Sequence, residues 1–144
     1  MRFLKATLLL ALLLISAPAP SQVVTVWPAP QGAQVSPITA STTATTGAFS
    51  ATLTGVANRF TYICGFVVTS AGTTTAATVN VTISGTVSGT MNFAYVFVSS
   101  GQGLLGVALP GCIVSSAQNT SITVSVPAGG TGTTGALSVW GYTN

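Results

Sequence analysis

Thr78-Val79-Asn80-Val81-Thr82-Ile83-Ser84 alternates polar and apolar side chains at period two, and Ser121-Ile122-Thr123-Val124-Ser125-Val126 does the same. Successive side chains of a strand point to opposite faces, so this pattern predicts strands with one face on a core and the other in water. Met91, Phe93, Tyr95 and Phe97 form an aromatic face with Asn92, Ala94, Val96 and Val98 opposite. Phe60, Tyr62, Cys64, Phe66 and Val68 are expected to form another in the strand before. Further strands are expected at 48–54, 103–109 and 134–143. Turns are supplied by Ala71-Gly72, the stretch from Gly85 to Gly89, Gly101-Gln102-Gly103 and Gly129-Gly130-Thr131-Gly132. No segment beyond the leader has a helical period. About seven or eight short strands at this spacing predict an all-β domain over 48–144, an antiparallel β-sandwich or jelly roll.

Upstream the pattern changes. Residues 1–21 have the three parts of a signal peptide, with Arg2 and Lys5 ahead of an apolar run from Leu8 to Ile15 and cleavage expected before Gln22. The run is far short of the ~20 residues that span a bilayer, so no stable membrane insertion is expected. Export to an extracellular, periplasmic or surface-associated location follows. Residues 22–47 read as an extended or flexible N-terminal arm. They hold a strand-like piece, Val23-Val24-Thr25-Val26-Trp27, then a tract broken by Pro28, Pro30 and Pro37 and closed by low-complexity Ser and Thr.

Composition narrows the chemistry sharply. The chain contains no Asp, Glu or His, and its charged side chains are Arg2, Lys5 and Arg59. Two of these belong to the leader. General acid–base catalysis needs a group that exchanges protons near neutral pH, and metal sites need several imidazole, carboxylate or thiolate ligands. Neither set is present, so the expectation is a non-enzyme with no catalytic residues, no metal and no cofactor. Nucleic acid demands clustered Lys and Arg, so no nucleic-acid partner is expected either. Ordinary sheets guard their outer faces and edges with charge. Here those positions carry Thr, Ser and Asn, which predicts a surface meant to be covered by copies of the same chain or by a larger assembly.

Cys64 and Cys112 are the only cysteines, and an even count in an exported chain favours a disulfide over two buried thiols. Trp27, Trp140 and Tyr142 are candidate ligand or interface aromatics. Asn80-Val81-Thr82 and Asn119-Thr120-Ser121 are sequons, making Asn80 and Asn119 possible glycosylation sites. Arg59, with no carboxylate side chain to pair with, is expected at the surface, capped by backbone carbonyls, or near a C-terminal carboxylate, its own or a neighbour's.

The stretch from Tyr62 to Ala77 runs through an aromatic strand ending in Gly65-Phe66, then a Val68-Thr69-Ser70-Ala71-Gly72 turn followed by Thr and Ala. Gly85-Thr86-Val87-Ser88-Gly89-Thr90, the strand Asn119-Thr120-Ser121-Ile122-Thr123-Val124-Ser125-Val126-Pro127, and the closing Gly141-Tyr142 complete a longer pattern. This pattern resembles small β-rich structural proteins of tailed phages and prophages. The resemblance implies a virion or surface β-sandwich that is homo-oligomeric and has no catalytic residues. The expected function is thus an exported structural or surface-display protein that self-associates, as a virion decoration or fibre. The alternatives are a fimbrial-type subunit donating residues 23–27 as a strand to a neighbour, or a secreted glycan-binding module built on Trp27 or Trp140.

Overall fold

The computed structural model describes residues 35–72 and 76–144. Their elements are eight strands and no helix: β1 (Ser36–Thr45), β2 (Phe49–Leu53), β3 (Thr61–Ala71), β4 (Ala77–Thr86), β5 (Gly89–Phe97), β6 (Gln102–Val114), β7 (Ile122–Val126) and β8 (Thr134–Thr143). They form two four-stranded sheets, ordered β1-β8-β3-β6 and β2-β7-β4-β5. Every pairing is antiparallel. The first strand pairs with the last, the second with the seventh, the third with the sixth, and the fourth with the fifth. The chain is in effect one long hairpin wrapped around a core, which is the jelly-roll form of the β-sandwich.

The period-two stretches supply that core. Val81 and Ile83 from β4, Ile122, Val124 and Val126 from β7, and Leu137 and Val139 from β8 are buried between the sheets. Phe97 and Tyr95 of β5 join them, while Met91 and Phe93 are half-buried toward the β5 edge. Phe66 meets Phe93 edge-on with ring centroids 5.4 Å apart. Each fully buried large apolar side chain contributes roughly 1.5–3 kcal/mol. One polar bridge crosses this interior, between Ser70 Oγ and the Tyr95 hydroxyl at 2.6 Å.

β3 departs from the expected alternation. Phe60, Tyr62, Cys64, Phe66 and Val68 do not share a face. A register shift lies between Ile63 and Gly65 on both neighbours of β3. Thr61 and Ile63 point inward with Phe66 and Val68, while Tyr62 lies outward. Cys64 is the extra residue that changes the parity. On the β6 side the opposing chain spends residues 109–112 between the pairs Gly65↔Ala108 and Ile63↔Ile113. Gly111 (φ 78°) and Cys112 (φ 53°) take left-handed conformations there. Gly111 does so freely, whereas Cys112 must be held in place. What holds it is the Cys64–Cys112 disulfide, with the two Cα atoms 4.2 Å apart. Its sequence separation of 48 corresponds to on the order of 4 kcal/mol of lost chain entropy in the unfolded state.

The arm expected over 22–47 also needs correction at its end. Ser36–Thr45 is a full strand that pairs along its whole length with β8. Its inward residues, Ile38, Ala40, Thr42 and Ala44, are mostly small, so the tract scans as low complexity although it alternates. The leader 1–21 and residues 22–34, Val23–Trp27 among them, lie outside the described residues.

Two predictions follow from this interior. The Thr61 hydroxyl is fully buried with no hydrogen-bond partner. Thr61→Val should therefore stabilise the fold by about 1 kcal/mol, measured by urea unfolding. With no carboxylate or imidazole side chain to titrate, stability should be flat from about pH 4 to 9. Burial raises the pKa of Tyr95 above 10.0, partly offset by its bond to Ser70, and burial beside Tyr62 raises that of Tyr142. The unfolded chain then loses these protons first, so stability should fall as pH climbs beyond about 10. Unfolding midpoints across that range check both limbs.

Candidate interaction surface

The two sheets present very different outer faces. On the second sheet, register sets Ser50, Ser125, Thr82 and Asn92 in one cross-strand row and Thr52, Thr123 and Ser84 in the next. Thr52 and Thr123 are close enough for their hydroxyls to share a hydrogen bond at 2.9 Å. Small polar groups cover the β2, β7 and β4 part of this face, while on β5 Ala94 and Val96 lie opposite Asn80 and Thr78 of β4.

The first sheet is more apolar. One row across it runs Pro37, Tyr142, Tyr62, Val114, and the next runs Thr39, Trp140, Gly65, Ala108. Tyr62 and Tyr142 stack with ring centroids 4.6 Å apart and planes 12° from parallel. The six-membered ring of Trp140 lies over Gly65, where any Cβ would collide with the indole and with the Val107 carbonyl. Farther along come Ser41, Ser138, Val67, Gly106 and then Thr43, Ala136, Thr69, Leu104. Ala136 and Thr69 are short, and beside them opens a shallow depression of about 400 Å³ bounded also by Thr43, Ala71, Gln102 and Thr134. Leu104 stands at its rim, 73% exposed.

The sequence candidates distribute unevenly over these faces. Trp140 and Tyr142 meet in the aromatic corner; Trp27 lies outside the described residues. Tyr142 is almost fully buried and Trp140 is half-buried, with one part of its ring committed to Gly65. Asn80 is exposed on the outer face of β4, with Thr82 next along the same face. Asn119 sits far away in an exposed loop, left-handed at φ 63°, and its side-chain oxygen accepts the Asn58 amide at 2.6 Å. The Arg59 guanidinium donates to Ser36 Oγ at 3.1 Å. Cys64 and Cys112 are joined under the bulge, beside the aromatic corner.

Sequence reading overlooked Tyr62 and Leu104. Tyr62 was hidden by the parity change at Cys64. Leu104 is the outward member of a strand whose inward side is also apolar, so no alternation marks it. Chemically the surface offers ring faces, methyl groups, hydroxyls and backbone. The described residues hold no group of three or more metal-ligating side chains and no helix long and apolar enough to cross a membrane. Comparison with protein-family models, curated proteins and solved structures finds no match to this chain.

The close approach of Trp140 to Gly65 is directly testable. Gly65→Ala should lower stability by about 1–3 kcal/mol through overpacking, and should shift Trp140 fluorescence toward the wavelength of a solvated indole. Unfolding followed at both wavelengths measures the two effects together.

Proposed function

We propose that this chain is an exported, non-enzymatic structural or surface-display protein that self-associates. One observation carries the reading: the rows crossing both outer faces contain no charged side chain, and the first sheet adds an exposed Leu104 and the half-buried rings of Tyr62 and Trp140 to that neutrality. Charge on outer faces and edges is what ordinarily keeps soluble sheets apart. The β5 edge adds to this, since Gly89–Phe97 holds neither charge nor proline. A disulfide suits an oxidising destination. The resemblance to phage and prophage structural proteins points the same way, toward a virion decoration or fibre.

The donated-strand alternative draws less support, because the eight-strand pairing is complete without residues 23–27. A glycan module also draws less, because Trp140 is partly committed to Gly65 and no carboxylate is present to grip sugar hydroxyls.

Light scattering on the exported chain over a concentration series tests the reading. A discrete oligomer or a polymer is expected. A monomer at every concentration would reject self-association.

A further inference from the structure

We infer that the outer face of the first sheet is where two copies of this chain pack, each placing Leu104 into the other's depression beside Ala136 and Thr69. The inference rests on the self-association reading and assigns it a surface. Leu104 has the highest exposure of the large apolar side chains that lie exposed among the described residues. Leu104, third residue of the edge strand β6, gains by being covered, and the short side chains of its own row leave the matching hollow. Knob and hollow lie side by side on one face. A two-fold axis between copies therefore seats both knobs at once, the self-complementarity that an isologous interface requires.

Area and charge agree with a second copy as the occupant. The strands are about ten residues long and four abreast. At ~3.3 Å per residue and ~4.8 Å per strand the face spans on the order of 600 Å² in plan, near the ~800 Å² per partner of a stable interface. None of its rows carries a charge, so a charged partner finds nothing to pair with, whereas an identical face buries none unpaired. The Thr and Ser residues of β1 form a polar margin, and Trp140 at the other end adds an aromatic of the kind enriched at interface centres.

The test compares Leu104→Glu with Val96→Glu in the full exported chain. Val96 is 48% exposed on the outer face of the other sheet and serves as the rival patch. Leu104→Glu is expected to raise the concentration needed for association by about a hundredfold, the loss typical of a binding hot spot, while Val96→Glu leaves it unchanged. Far-UV circular dichroism and a cooperative melt establish that both variants fold. Should Leu104→Glu misfold, Ala136→Trp fills the hollow from the other side and should weaken association likewise. An oligomer that survives both changes, or that Val96→Glu dissociates instead, overturns this surface while leaving self-association standing. A monomeric wild-type chain overturns both. If deletion of residues 22–34 exposes Trp140 to a soluble quencher and leaves the Leu104→Glu chain no different from its parent in mass, the face is covered by its own chain, and the inference fails.

Discussion

Cys64 is the extra residue on which the two sides of the first sheet turn. Because side chains alternate strictly along a strand, one added residue exchanges inside for outside for everything beyond it. Phe66 and Val68 enter the core on one side of the bulge, and Thr61 and Ile63 enter it on the other. Without the insertion Tyr62 would point inward and could not stack on Tyr142. β6 accommodates the same irregularity with residues 109–112, and the disulfide fastens the two strands at that place. The aromatic corner and the position of Trp140 over Gly65 therefore share one origin.

Much of the fold could be read from the chain. β4 and β7 alternate cleanly because large apolar residues face the core and mostly hydroxyls face out, β5 shows itself by its inward aromatic face, and the 134–143 pattern of β8 matches its observed bounds. The jelly-roll pairing itself is long-range, so no local pattern could distinguish it from other sandwiches. β1 was hidden because its inward positions are largely alanine and threonine, which carry little hydrophobic contrast. The bulge was hidden because Tyr62, Cys64 and Phe66 mimic an unbroken alternation while Ile63 competes for the same core. Of the candidate site, Trp140 and Tyr142 were legible as aromatics near one strand end. Tyr62 and Leu104 depended on tertiary register.

A jelly roll without carboxylates or imidazoles must hold itself together by burial, backbone pairing and one covalent tie. Those same features shape its surface. Hydroxyls on strand faces keep water in contact with a backbone that is otherwise neutral, but they set no long-range repulsion between molecules. No charge therefore opposes the self-association proposed above. In that proposed association the second sheet, clad largely in Ser, Thr and Asn, would suit the outside and the first sheet the interior.

The parity change at Cys64 is tested most directly by proton–proton NMR contacts in the oxidised chain. The account predicts contacts between the rings of Tyr62 and Tyr142, whose centroids lie 4.6 Å apart, together with contacts from Ile63 to the buried core. Contacts from the Tyr62 ring into that core, with Ile63 turned to solvent, would contradict it.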